Sequence, residues 1–170
     1  MRLMRALKCD ASKGELSLED VSIPEVILPD DIVIKVGYAG LCGTDLHIMQ
    51  GEFAVCGSSK VSGSFYHLET KQIFLLVTLS HEFAGTIVSV GSGVHSRFRV
   101  GARVGVDPNR PCHCCQFCVR GESISLTSHN LNINFSGQPH FCQDGGCRDA
   151  SGVFRDGGAA EYCRVPAEQV

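Results

Sequence analysis

Three cysteines that recur at every third residue are the side chains of this sequence best suited to holding a metal. Cys112, Cys115 and Cys118 are separated by two residues each. Thiolates at this spacing can converge on one tetrahedral Zn²⁺, whereas cysteines this close seldom meet disulfide geometry. Cys142 is our candidate for the fourth ligand, because removing the polar stretch 122–137 closes the pattern to C-x2-C-x2-C-x7-C. The spacing therefore predicts a structural zinc knuckle.

Other ligand sets for this knuckle remain open at the level of sequence. His113 or His140 could replace one thiolate, and the cluster could also be a group of reduced, partly buried thiols. Cys114 lies off the three-residue period, so we interpret it as a bystander.

A second group of reactive side chains lies earlier in the chain. Within six positions it contains a thiol, a hydroxyl, a carboxylate and an imidazole: Cys42, Thr44, Asp45 and His47. Downstream, His81 is followed directly by Glu82. Catalytic zinc takes three protein ligands from mixed N, S and O donors and keeps one position open. Cys42 and His81 are candidates for two of these ligands.

The remaining side chains of this group suit supporting roles. Asp45 could accept a hydrogen bond from a ligand imidazole, and Thr44 with His47 could pass a proton to solvent. His67 is a conceivable substitute for His81 as a ligand. Taken alone, a turn rich in these residue types is more often only a structural turn.

The elements that would position these residues are mostly β-strands. Runs rich in β-branched residues or bounded by glycine turns predict strands over 31–36, 86–90, 103–106 and 157–165. Only 44–50 has helical character. Short strands with 19 glycines favour a barrel or a sandwich, so we predict a mainly β fold with a few short helices.

Length, charge and composition limit the possible classes of protein. The 170 residues fit one domain, over 1–170, and the net charge of −3 lacks the basic excess of nucleic-acid-binding proteins. No run approaches the ~20 apolar residues of a membrane span, and the N-terminus lacks the apolar region of a signal peptide. We therefore expect a soluble cytoplasmic protein. We interpret four scattered cysteines as small buried or reduced thiols: Cys9, Cys56, Cys147 and Cys163.

Four motifs in a fixed order carry a resemblance to a known family. They are G-L-C-G-T-D-L-H at 40–47, H-E-F-A-G-T-I-V-S-V-G at 81–91, G-A-R-V at 101–104 and the cysteine knuckle. Together they closely resemble the zinc-dependent medium-chain dehydrogenases that act on alcohols, polyols such as sorbitol or arabinitol, and threonine. The resemblance implies a GroES-like β-barrel catalytic domain with a zinc-knuckle lobe.

Residue roles follow from this resemblance. It implies that Cys42 and His81 are catalytic zinc ligands and that Glu82 binds the zinc or exchanges with water. Thr44 and His47 would form the proton relay of such an enzyme. In the family, zinc acts as a Lewis acid on the substrate oxygen while hydride passes to NAD(P)⁺.

The resemblance extends to the second zinc and to partners. It implies that Asp45 orients a ligand and that four thiolates hold a structural zinc. These thiolates are Cys112, Cys115, Cys118 and Cys142. A full-length protein of this kind would bind a small alcohol or polyol and NAD(P), would not need nucleic acid or membrane, and could form homo-oligomers.

Several features depart from the family pattern. Residues 54–80 and 122–137 are longer than the family spacing allows, and Ser80 replaces the usual glycine before His81. Metal sites tolerate errors of only ~0.2 Å, so we expect the first insertion to displace His81 and the knuckle to survive the second.

The dinucleotide-binding half of the family also has no counterpart in the sequence. No G-x-G-x-x-G fingerprint occurs between a strand and a helix, so the Rossmann domain is expected to be absent. We therefore expect an N-terminal catalytic domain that has an incomplete catalytic zinc site and is inactive by itself. The alternative is a noncatalytic, zinc-stabilised structural or interaction module, and counting bound metal separates the two.

Overall fold

The computed structural model describes residues 2–51, 76–110, 118 and 150–170. Strands dominate these ranges, which confirms the predicted mainly β fold class. The elements are β1 (Leu3–Asp10), β2 (Glu15–Ser22), β3 (Asp31–Ala39), α1 (Gly43–Met49), β4 (Leu76–Thr78), β5 (Phe83–Val90), β6 (Arg103–Gly105), β7 (Tyr162–Pro166) and a final 3-10 helix (Ala167–Gln169).

A four-stranded antiparallel sheet has the order β6-β5-β3-β7. Ile32 in β3 pairs with Val90 on one side and with Val165 on the other. Alternation along the strands directs β-branched side chains to one face, where Ile32, Ile34 and Val165 are fully buried. This sheet therefore has its own apolar core.

A three-stranded antiparallel sheet has the order β2-β1-β4. Most of β2 is exposed, and β4 is only three residues long. Its core is completed from other elements: Ile48 of α1 and Val153 join Val77 of β4 in one buried cluster. Because α1 and β4 share this cluster, the residues at their ends lie near one another.

Hydrogen bonds along a connecting segment join the two sheets. Leu7 of β1 donates to the carbonyl of Ala159, and Val36 of β3 donates to the carbonyl of Glu161. An isolated bridge also pairs Ala6 with Ala160. The segment before β7 is thus bonded to one strand of each sheet.

The predicted elements correspond to one sheet and the helix. The strands expected over 31–36, 86–90, 103–106 and 157–165 are confirmed as β3, β5, β6 and β7, although β7 begins only at Tyr162. Residues 157–159 instead bond to the segment 78–80. Residues 76–80, assigned above to an insertion, belong to the core, because Val77 and Leu79 are buried. The rest of that insertion and all of 122–137 lie outside the described residues.

Candidate metal centre

Cys42 lies at the start of α1, just after β3. Its backbone is extended (φ −110°, ψ 160°), and its N–H donates a 2.8 Å hydrogen bond to Oδ2 of Asp45. In return, the Asp45 N–H donates to the Cys42 carbonyl at 3.1 Å. This reciprocal bonding resembles a capping box and fixes where the helix begins. The thiol is therefore attached to a well-defined turn.

His81 and Glu82 lie between β4 and β5, where the chain passes from one sheet to the other. The His81 side chain is largely buried, and the Glu82 side chain is 57% exposed. Their closest side-chain atoms, His81 Nε2 and Glu82 Oε1, are 3.6 Å apart. The His81 imidazole is thus enclosed by the protein, and the Glu82 carboxylate is open to solvent.

The fold brings these three side chains together. One ligand atom from each of Cys42, His81 and Glu82 lies within 4.8 Å of the other two. His81 therefore stays beside Cys42, and the expectation that the preceding insertion would displace it was wrong.

The donor set fits a catalytic type of zinc site. Nδ1 of His81 is buried and has no hydrogen-bond partner among the described residues. Buried polar atoms normally have a partner, so an orphaned ring nitrogen is consistent with a ligand or a bound group in this cluster. Thiol, imidazole and carboxylate are the mixed S, N and O donors that zinc accepts.

The supporting residues lie close by. Thr44 Oγ1 accepts a 3.7 Å hydrogen bond from the Cys42 thiol, and His47 is exposed one helical turn from Thr44. Asp45 is 4% exposed, and its two carboxylate oxygens accept hydrogen bonds from the backbone N–H groups of Cys42 and Ser80. The described partners of Asp45 are thus backbone amides, where the sequence led us to expect an imidazole. The proton relay remains a prediction.

Comparison with known proteins identifies the family. The sequence profile of the family "Alcohol dehydrogenase GroES-like domain" matches residues 28–170. The chain belongs to this family. The resemblance to zinc-type alcohol, polyol and threonine dehydrogenases is thereby confirmed, together with the GroES-like fold.

Individual relatives show how much of a longer protein this GroES-like domain resembles. It is 34% identical over 155 residues to D-arabinitol dehydrogenase 1 of Uromyces fabae, covering 89% of this chain and 34% of that protein. It is 30% identical over 133 residues to sorbitol dehydrogenase of Bombyx mori, covering 78% of this chain and 31% of that protein. The chain thus spans about a third of the length of these curated relatives.

Solved structures support the same fold. The crystal structure of galactitol-1-phosphate dehydrogenase from Escherichia coli matches with a TM-score of 0.69 and 28% identity, over 98% of this chain and 37% of that one. Within the described ranges of the GroES-like domain, no helix combines the length and apolar character needed to cross a bilayer.

The predicted structural zinc site lies mostly outside the described residues. Cys118 is the one member of its ligand set that the structure describes, and it is partly buried in a helical position. Cys112, Cys115 and Cys142 lie outside the described ranges. This site stays a prediction.

Sequence reasoning missed the glycines that hold the His81 segment of the GroES-like domain. Gly157 and Gly158 donate backbone hydrogen bonds of 2.8 Å to the carbonyls of Thr78 and Ser80. A Cβ at Gly157 would overlap the Ser80 carbonyl oxygen, so only glycine allows this close approach. The signal was the Gly-Gly pair before β7, which we interpreted only as a turn.

Two other thiols of the GroES-like domain lie in a different environment. Cys9 and Cys163 are 0% and 3% exposed, which confirms the expectation for these two thiols, while Cys56 and Cys147 lie outside the described residues. Burial, followed by the nearby Asp156 carboxylate, raises the pKa of the Cys163 thiol to about 12. Burial also raises the pKa of Cys9, with smaller contributions from Asp10 and Asp45. Both thiols stay protonated at neutral pH, and metal ligands must be thiolates.

Proposed function

We propose that this chain is the catalytic metal-binding domain of a zinc-dependent alcohol or polyol dehydrogenase. The observation that carries the proposal is the cluster of Cys42, His81 and Glu82, with ligand atoms within 4.8 Å of one another and an orphaned imidazole nitrogen. Bound zinc would act as a Lewis acid on a substrate hydroxyl, with hydride passing to NAD(P)⁺. Relatives that act on arabinitol and sorbitol by name support the substrate class.

The side chains of the cluster would have distinct tasks. Cys42 and His81 hold the metal from the protein side, and the exposed Glu82 carboxylate completes the donor set or yields its place to water. Thr44 lies beside the Cys42 sulfur, where its hydroxyl would take a proton from the substrate hydroxyl. His47, exposed on the same helix, would pass that proton to solvent.

A second zinc belongs to the proposal. Four thiolates of the knuckle, Cys112, Cys115, Cys118 and Cys142, would hold it as a structural ion. The assignment of five of the ten cysteines to metal binding also supports a cytoplasmic location, where thiols stay reduced.

Metal counting tests the proposal. Purified protein should contain two zinc ions per chain by elemental analysis. C42S should lose one of them and C118S the other, while H95Q, which changes an exposed imidazole, should retain both. A single zinc ion in the wild type, which C42S leaves in place, would support the alternative of a noncatalytic zinc-stabilised module, and a wild type without zinc would contradict both.

Turnover provides a separate test. We expect no NAD(P)⁺ reduction with sorbitol or D-arabinitol by the 170-residue chain, because no dinucleotide fingerprint occurs in it. Adding the nicotinamide-binding portion of a relative should restore some activity, and C42S should abolish that activity. Turnover by the chain alone would contradict this part of the proposal.

A further inference from the structure

β2 forms one edge of the three-stranded sheet. All of its residues, Glu15–Ser22, pair with β1 on one side, and no strand among the ranges that the structure describes pairs with its other side. Natural proteins commonly protect such edges with lysine, proline, a β-bulge or a covering element. β2 contains neither lysine nor proline, its register with β1 is continuous, and most of it is exposed. This edge is therefore open to pairing with another chain.

The hydrogen bonds of β1 show which backbone groups of β2 point to the free side. Both backbone groups of Leu7 are bonded on the side of β1 that faces away from β2. Leu7 lies opposite Leu18, so the two form a non-hydrogen-bonded pair, and the N–H and C=O of Leu18 point outward. Alternation along the strand gives the same direction to the backbone groups of Leu16 and Asp20. These groups form a row of donors and acceptors along the edge.

The leucines of β2 lie on the face that continues the core of the sheet. Leu16 is directly opposite Cys9, so the two side chains share one face. Cys9 is fully buried in the cluster that contains Ile48 and Val77. Leu16 and Leu18, by contrast, are 43% and 66% exposed. The apolar face of the sheet thus extends to the edge strand, where its leucines are open to solvent.

We propose that β2 is a dimerisation strand, which pairs antiparallel with β2 of a second copy of this chain about a two-fold axis at Leu18. The outward backbone groups of the two strands then bond to one another. The two sheets join into one sheet of order β4-β1-β2-β2-β1-β4. Leu16 and Leu18 of both copies lie on one face of it and form a shared apolar cluster.

The charges of β2 favour this register. The strand carries three carboxylates and no basic residue. With the axis at Leu18, every carboxylate of one copy lies opposite an uncharged residue of the other. The opposite residues are Glu15 and Val21, Leu16 and Asp20, and Ser17 and Glu19. Because like charges directly opposite each other destabilise a sheet, this arrangement avoids the main cost of pairing two acidic strands.

The neighbouring registers bring carboxylates together. With the axis at Ser17, Glu15 of one copy lies opposite Glu19 of the other, and with the axis at Glu19, that residue lies opposite itself. An axis between two residues would set outward backbone groups against groups that point to β1. β2 is thus self-complementary over nearly its full length in one register. This self-complementarity favours a second copy over a basic peptide as the occupant of the edge.

Analytical ultracentrifugation of the full chain tests the proposal. Wild type should show a reversible monomer–dimer equilibrium, since a contact between two single strands is small. Leu18→Lys sets two ammonium groups opposite each other at the axis and should lower the association constant about tenfold or more. Ile27→Lys is the matched control and should leave the constant unchanged, because Ile27 is 70% exposed and lies outside β2.

Amide hydrogen exchange, followed by NMR, tests the pairing itself. The N–H groups of Leu16, Leu18 and Asp20 should exchange more slowly as the protein concentration rises, because only the dimer bonds them. The N–H groups of Ser17 and Glu19 point to β1, so their protection should not depend on concentration. These two amides are the internal control.

Each other outcome overturns the proposal. A wild type that stays monomeric up to its solubility limit would do so. A dimer that Leu18→Lys leaves intact, or that Leu18→Lys and Ile27→Lys weaken equally, would have its interface elsewhere. If Leu18→Lys does not fold, exchange in the wild type decides, and a dimer in which the three outward amides exchange as fast as in the monomer contradicts pairing through β2.

Discussion

The two sheets of this domain differ in how they are stabilised. The four-stranded sheet buries isoleucine and valine side chains from its own strands, whereas the three-stranded sheet relies on α1 and on residues 150–153 to complete its core. Local sequence therefore specifies the first sheet, and tertiary contacts specify the second. The candidate ligands lie where the two meet, since Cys42 follows the first sheet and His81 connects both.

Core truncations in the two sheets should have equal costs in stability and unequal effects on metal binding. Ile34 and Leu79 are 0% and 1% exposed, so Ile34→Ala and Leu79→Ala should each lower the free energy of unfolding by about 2–5 kcal/mol. Leu79 lies two residues before His81, so only its truncation should also weaken Co²⁺ binding at the candidate metal centre. This binding is measured as the cobalt–thiolate absorption that is present in the wild type and absent in C42S. Urea denaturation and cobalt titration measure the two effects, and equal cobalt affinity in both variants would contradict the difference between the sheets.

Closing the glycine contact should break the junction itself. Gly157→Ala places a methyl group against the Ser80 carbonyl, so we expect a loss of about 1–3 kcal/mol in urea denaturation. Gly105→Ala in β6 is the matched control, because a Cβ there meets nothing within 4 Å. Similar losses in both variants would show that the general effect of replacing glycine by alanine, and not the contact with Ser80, causes the loss of stability.

The buried thiol of β7 should make the four-stranded sheet sensitive to alkaline pH. The pKa of Cys163 is raised from 9.0 to about 12, so its contribution is fully present below pH 9 and is lost as pH rises towards 12. In that window the unfolded chain releases the proton and the folded chain keeps it, so the free energy of unfolding should fall by up to ~1.4 kcal/mol per pH unit. Cys163→Ala should lack this part of the slope, and identical slopes in both proteins would contradict the assignment.

The smallest expected effect isolates the strain at Ser80. Ser80→Gly and Ser80→Ala both lose the hydroxyl, but only alanine keeps a Cβ at a φ of +69°. The glycine variant should therefore be about 1 kcal/mol more stable than the alanine variant in thermal or urea unfolding. Equal stability would mean that the turn changes its backbone conformation in the variants.

Prediction from sequence succeeded where the signal was local. β3 contains the β-branched run Ile32–Ile34, and the helix begins at the Cys42–Asp45 turn, so both were expected close to their observed bounds. β1 and β2 were missed, because β1 contains no β-branched residue and β2 contains only Val21. They form strands because the fold places them beside each other and places β1 beside β4, so that their backbones can pair.

The same division applies to the candidate site. Residue types and spacing by themselves determined that Cys42, His81 and Glu82 could bind a metal, since donor chemistry is a property of each side chain. Only the tertiary structure decided that these three side chains meet. It also decided that the Asp45 carboxylate accepts hydrogen bonds from backbone N–H groups, and that glycines before β7 donate hydrogen bonds to the segment that precedes His81. These contacts join residues far apart in the chain, and their geometry depends on packing that no local pattern encodes.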